Sequence, residues 1–524
     1  MRLIVSESPG GGVVLAGGRM LFSRRRAILF SLLLVFLAPL NASERDNGPD
    51  PDRRSGIRRI NQAPPSEDCL QFNCESIPSE ISPDNVTQLD EAWRVLLPDI
   101  ADGSPIYVSN VIADFAQRDL LILGTMSGSV IAVDAQRGDV VWTAEHHAGP
   151  RWTTASPAID PNREYVYAYA LDGYVHRYSI HDGSEVGGDG WPELITLKGD
   201  VEKCSSSLSV VTTKDGKNYL YATIAAYPDP GDDGDYQGHL VAIDLSNGEQ
   251  HVFNALCSDK PFHFDASGSD ATDCRSQQAG IWARAGAVYD SVTDRTYITT
   301  GNGPFDADQG GFNWGTCVLA LHPDGTTDNS TPLDSYTPVE YQSLTENDWD
   351  LSSTTVATLP IDSDLGRFAV QGGKDGKLRL LNLSDLSGQG GPRHIGGELQ
   401  IINLDAGTHN RPATWLAPDG TPWVFVTTYQ STIAFSATID DESGMPRLEQ
   451  QWQRVGGGSS PIVDSGILFR ARSGLIEALD PETGDVLWSN NTIGNIHWQS
   501  PIVVNDTLYL SNHQNALIAF RLRN

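Results

Sequence analysis

From about residue 85 to the end, apolar residues come in short runs rich in Val, Ile, Leu and Tyr, broken by Gly, Asp, Asn or Pro. Runs of this kind bounded by turn residues read as β-strands, and no long segment keeps a helical period. The body of the chain is therefore predicted to be all-β. Residues 43–84 differ: they are rich in Asp, Arg, Pro and Ser, show little apolar periodicity and read as an irregular extension.

Within 85–524 the pattern repeats. Ala-Val-Asp134-Ala-Gln-Arg-Gly138-Asp-Val-Val-Trp142 returns near the C-terminus as Ala-Leu-Asp480-Pro-Glu-Thr-Gly484-Asp-Val-Leu-Trp488. Looser copies lie between, in Tyr165–Val186, Tyr219–Phe253, Thr296–Gly325, Phe368–Gly388 and Trp423–Trp452. A strand-turn-strand unit repeated in this way, with a terminal Trp, predicts a β-propeller of eight four-stranded antiparallel blades. The Trp is expected to pack between neighbouring blades. The last unit, Thr507–Leu522, is short of a strand, and Leu89–Leu97 has the right apolar-Trp character to supply it. Borrowing an N-terminal strand closes the ring and hides its edges. The longest insertions, near 228–237, 254–280, 303–314 and 326–350, fall between the third and fifth units, so functional loops are expected there.

Ahead of the propeller, Arg24-Arg25-Arg26 precede an apolar run, Ala27–Leu37, and small residues lead to Ala42. That is the plan of a secretory signal, which assigns 1–42 to a signal peptide and the mature protein to the periplasm or the medium, without a membrane span. Asp and Glu number 67 against 36 Lys and Arg, a net charge of −31, which argues against nucleic acid as a partner. Six cysteines suit an oxidising compartment. Cys69 with Cys74 and Cys257 with Cys274 are close enough for local disulfides. Cys204 and Cys317 are left as buried thiols or a long-range bridge. An acidic loop holds Asp229, Asp232, Asp233 and Asp235, but its spacing matches no EF-hand.

The Ala-[Val/Leu]-Asp-x-x-x-Gly-x-x-x-Trp phrase resembles the repeat of quinoprotein, or pyrroloquinoline-quinone-like, propellers. The middle of the chain is similar to quinoprotein alcohol dehydrogenases in particular. Gly-Ile-Trp282 followed by Thr299-Thr-Gly-Asn302 matches the segment that supplies a ring-stacking Trp and a calcium-binding Asn. Trp349-Asp350 matches the pair whose Asp is the catalytic base and lies beside the metal, and Lys374 in Gly-Gly-Lys-Asp-Gly matches the Lys that bonds the quinone oxygens. Arg151 corresponds to a carboxylate-binding Arg, and Asn410 to a tunnel-facing Asn. The chemistry is coherent. A planar quinone needs an aromatic floor, a hard cation takes oxygen ligands, and a carboxylate takes the proton of an alcohol.

The chain also departs from that family. It has no adjacent Cys pair; the corresponding region reads His146-His147-Ala-Gly-Pro-Arg151. No Glu matches the family's calcium ligand. No Cys-x-x-Cys-His is present for haem attachment, so an enzyme of this type needs a separate electron acceptor. Two functions follow from the resemblance. One is an oxidoreductase acting on an alcohol or amine with pyrroloquinoline quinone and calcium. The other is a non-catalytic envelope propeller that binds a protein partner.

Overall fold

Eight antiparallel sheets follow one another along the chain, as the repeat predicts. The structure, a computed structural model, describes residues 79–146, 151–227, 236–265, 274–361 and 366–523. The signal peptide, Cys69, Cys74 and the acidic loop at 229–235 lie outside the described residues. Among the described residues no helix is long and apolar enough to cross a membrane.

Blade 1 runs from Ile106 to Ala144 and blade 2 from Ala158 to Leu194. Blade 3 carries a broken inner edge, because Glu202–Cys204 and Ser209–Thr212 both pair with Asn218–Ala226. Blades 4 to 7 start at Val288, Ala357, Ala413 and Ile462. The last blade has three C-terminal strands, and β1, Leu89–Leu96, completes it by pairing antiparallel with Ala516–Leu522. The predicted closing strand is thus in place. Residues 79–84, read from sequence as part of the extension, are not all loose: Ile81 is buried among Ile467, Phe469 and Val503 of the last two blades.

The repeated phrase is a turn followed by a docking post. The Asp134 carboxylate accepts the amides of Gln136 and Arg137, while Gly138 N–H returns to the Asp134 carbonyl at 2.8 Å. Asp480 does the same with Glu482, Thr483 and Gly484. The turn glycine then receives the Trp of the preceding blade. A Cβ at Gly183 would stand 2.5 Å from the Trp142 ring, and one at Gly484 2.9 Å from Trp452. Both glycines also have φ above +70°, where a side chain is strained. Each indole N–H is satisfied across the same seam: Trp142 by the carbonyl of Ile180 at 3.0 Å, Trp452 by that of Pro481 at 2.9 Å. Trp93 of β1 packs on Gly138 in the same manner and joins Tyr509, Tyr107 and Leu121 in the core between the last and first blades. The terminal Trp is therefore inter-blade packing.

The seams of blades 2 to 4 use other residues. Gly248 meets the Glu193 side chain, and Gly325 meets the Ala242 methyl group. A short helix, Tyr341–Glu346, precedes blade 5. Cys257 and Cys274 are joined in a disulfide, as their spacing suggested. Cys204 and Cys317 are separate buried thiols, and burial pushes each thiol up to about 12.

Candidate functional site

Blades 3, 4 and 5, with the segments leading into blades 2, 4, 5, 6 and 8, contribute side chains to one cavity of about 630 Å³. Trp282, Asn302, Asp350 and Lys374 all line it. These four residues come from segments far apart in the chain, and each is delivered by a local device.

Asn302 follows the strand Arg295–Thr299 in a Thr-Gly-Asn-Gly turn. Gly301 is required at that point, because a Cβ there would fall 2.6 Å from Asp350 Oδ1 and 2.7 Å from Ser352 Oγ. The close approach lets the Asn302 amide donate to Asp350 Oδ1 at 2.9 Å. Asp348 and Asp350 are aimed by the end of the short helix. Asp348 takes φ +54°, and Trp349 N–H caps the Leu344 carbonyl at 2.9 Å, which turns the chain back on itself. Lys374 stands in the hairpin turn between Phe368–Gln371 and Lys377–Asn382. Its ammonium donates to Asp350 Oδ2 at 2.6 Å, approaches Asp348 Oδ2 at 3.4 Å and lies 5.3 Å from the centre of the Trp282 ring.

Burial pushes the Asp350 carboxyl above the usual carboxylate range, with Asp348 adding to the rise while Lys374 and the Asn302 amide oppose it. For Lys374, burial works against the charge, but Asp350 and Asp348 outweigh it and hold the ammonium above its ordinary value. Asn302 Nδ2 donates to Asp348 Oδ1 at 2.9 Å, yet its Oδ1 is buried with no hydrogen-bond partner. A lone buried carbonyl oxygen is costly. Placed beside two carboxylates, it forms the oxygen-only donor set that a hard cation takes, so these residues fit calcium.

Two further basic residues line the cavity, and the sequence did not flag them. Lys203 and Arg284 are both buried, and neither forms an ion pair among the described residues. The Lys203 ammonium lies 3.2 Å from the centre of the Trp152 ring and donates to the Trp152 carbonyl at 3.3 Å. Arg284 donates only to backbone carbonyls, those of Ser205, Asp102 and Thr154. Burial, reinforced by Arg284, lowers the Lys203 pKa to about 7. Two cations that face a cavity without carboxylate partners fit the acidic groups of an anionic ligand. The available signal was slight: Arg284 stands two residues after Trp282, and Lys203 is a cation in a strongly acidic chain.

Arg151 and Asn410 do not line the cavity. The Arg151 guanidinium is held by the carbonyls of Leu171 and Gly199 and by an ion pair with Asp200. Asn410 Nδ2 donates to the Gly458 carbonyl at 2.7 Å. Its neighbour His409 faces the cavity instead, edge-on to Trp282 with ring centres 5.3 Å apart and bonded to the Tyr429 hydroxyl. Burial, with Lys374 nearby, lowers His409 to about 4, so the ring is neutral.

Comparison with known proteins places this geometry. The PQQ family described as the β-propeller domain of glucose, ethanol and alcohol dehydrogenases matches residues 76–324, and the family of outer membrane protein assembly factor BamB matches residues 417–524. Residues 76–324 are thus similar to the PQQ-type β-propeller domain. Its fold is that of a europium-containing methanol dehydrogenase, at 16% identity and a TM-score of 0.56, over 83% of this chain and 86% of that one. Quinohemoprotein alcohol dehydrogenases from Comamonas testosteroni (14% identity, TM-score 0.56) and Pseudomonas putida HK5 (15%, 0.54) are similar too, each over 86% of this chain and 79% of theirs. No curated protein matches the sequence.

Proposed function

We propose that the protein is a quinoprotein-type oxidoreductase of the periplasm or medium, oxidising an alcohol or amine with pyrroloquinoline quinone and calcium. The observation that carries this reading is the meeting of Trp282, Asn302, Asp350 and Lys374 in one cavity, with the Asn302 carbonyl oxygen left unpaired. When bound, the quinone supplies the two-electron acceptor and calcium the Lewis acid that activates it. The protein supplies position and charge. Trp282 offers the aromatic floor. Asn302 Oδ1 and the Asp350 carboxylate hold the cation. Lys374 presents its ammonium to ring oxygens, and Lys203 with Arg284 faces the acidic groups of the ligand. Asp350, whose carboxylate lines the same cavity, would take the hydroxyl or ammonium proton of the substrate. Lacking a haem attachment motif, the enzyme hands electrons to a separate acceptor.

The test is calorimetric titration of the purified protein with pyrroloquinoline quinone in the presence of calcium, followed by a dye-linked oxidation assay over small alcohols and amines. Binding with turnover supports the reading; absence of both heat and dye reduction rejects it. Asp350→Asn, which keeps a side-chain oxygen for the cation but cannot act as a base, should keep the cofactor and lose turnover.

The match of 417–524 to the BamB family favours a second reading, a non-catalytic envelope scaffold that binds a protein partner. The missing Cys pair and calcium Glu point the same way. A protein that folds fully, ignores the quinone and co-purifies with an envelope protein from its own source would establish this alternative.

A further inference from the structure

A second cluster lies at the closure of the ring, apart from the quartet Trp282, Asn302, Asp350 and Lys374. Asp102 sits in the connection between β1 and the first strand of blade 1, His497 in the connection into the last blade, and His513 in the turn between Thr507–Ser511 and Ala516–Leu522. Their donor atoms all lie within 4.8 Å of one another. The Asp102 side chain is fully buried, and its carboxylate is met by His497 Nδ1 at 2.8 Å and by the Trp498 amide at 3.2 Å. Among the described residues no Lys or Arg forms a salt bridge with it, although its charge acts on Arg284 and Lys203. Arg284 reaches only its backbone carbonyl. His513 Nδ1 is buried without a hydrogen-bond partner, and the two imidazoles stand with ring centres 5.6 Å apart.

We propose that Asp102, His497 and His513 form a site for a first-row divalent cation of the zinc type, which clasps the last blade to the strand that closes it. Two imidazoles and a carboxylate are the donor set that zinc and cobalt prefer, whereas calcium and magnesium prefer oxygen alone. Bonds of about 2.0–2.2 Å place neighbouring ligands roughly 3–3.5 Å apart. The Asp102–His497 pair is already near that spacing, and both imidazoles reach solvent, so His513 closes on the ion by side-chain rotation alone. The cation would sit against a fully buried carboxylate that His497 already meets, and would engage an imidazole whose Nδ1 bonds to nothing. Asp102 follows β1, His513 precedes Ala516–Leu522 and His497 leads into Ile502–Val504, so the ion would staple three connections of the closing blade.

The experiment uses the tag-free protein, stripped with chelator. Titration with Zn²⁺ alone should show one tight site and raise the thermal unfolding midpoint. Co²⁺ at one equivalent should give the visible absorption of a low-coordinate site with imidazole ligands. His497→Ala and His513→Ala should each weaken Zn²⁺ binding at least about 10–100-fold and remove the thermal shift. Far-ultraviolet spectra of both variants, matched to the parent, check that they fold. The proposal is overturned if Zn²⁺ gives no saturable binding, or if binding and the thermal shift survive in both variants. Calcium-dependent quinone binding is a separate measurement, so failure here leaves the Asp350 cavity untouched.

Discussion

The blades that keep the repeat and the blades that have lost it do different work. At the seams from the last blade into blade 1, from blade 1 into blade 2, and from blade 6 into blade 7, an indole ring seats on a bare glycine, at Gly138, Gly183 and Gly484. At the seams into blades 3 and 4, a carboxylate or a methyl group stands in for the ring, at Gly248 and Gly325. Blades 3 to 5 are also where Lys203, Trp282, Asn302, Asp350 and Lys374 enter the cavity. The first set stabilises the ring through apolar burial. The second carries buried charge, an unpaired carbonyl and a left-handed Asp348, features that oppose stability and persist where a site requires them.

Four substitutions test this division, from the largest expected effect to the smallest. Asp350→Asn should leave the unfolding midpoint near that of the parent and lower kcat by about 10²–10⁴-fold, read by the dye-linked assay once the cofactor is loaded. Trp142→Ala should do the converse: a loss of about 3–5 kcal/mol in denaturant unfolding, with ligand affinity in the cavity unchanged. If Trp142→Ala abolishes ligand binding at a concentration of denaturant where the ring is still folded, the two regions are not separable. Gly301→Ala should cost about 1–3 kcal/mol and loosen the Asn302–Asp350 contact, because the new methyl group meets Asp350 Oδ1 at 2.6 Å. Weaker calcium-dependent ligand binding in that variant would tie the glycine to the site.

The fourth effect is read as a slope against pH. Lys203 titrates near 7 in the fold against 10.5 for a free side chain. Between those values the unfolded chain binds a proton that the native protein lacks, so this residue makes stability rise with pH from about 7 to about 10, by up to about 1.4 kcal/mol per pH unit. Lys203→Met should flatten that slope. An anionic ligand seated beside Lys203 would restore its charge, so binding at pH 8 should take up a proton, seen as a dependence of binding heat on buffer ionisation enthalpy. No proton uptake would remove Lys203 from the ligand's contacts.

Much of the scaffold was legible in the chain because its cause is local. Asp134 and Asp480 cap their own turns, the turn glycine must be bare, and the Trp follows at fixed distance, so one phrase encodes the strand, the turn and the seam. The closing strand was legible because an apolar-Trp segment without a blade of its own had one place to go. The cavity quartet was visible only through family resemblance, since Asn302 and Lys374 sit in turns that any polar residue can occupy. Arg151 stands outside the cavity lining, with its guanidinium bonded to the carbonyls of Leu171 and Gly199. Lys203 and Arg284 carry no motif, because what defines them is burial without a direct ion pair among the described residues. Asp102, His497 and His513 are invisible to any local reading, their contacts spanning nearly the whole propeller.

The pairing of β1 with the C-terminal strand also sets the order in which the molecule can be finished. Leu89 lies opposite Leu522, and Leu96 opposite Ala516. The strand that leaves the ribosome first therefore waits for the one that leaves last, and every blade between them has been made before the ring can shut. Loss of the final few residues would strip one blade of its partner for β1 and leave two open sheet edges. In synthesis, the ring cannot shut before Ala516–Leu522 has been made.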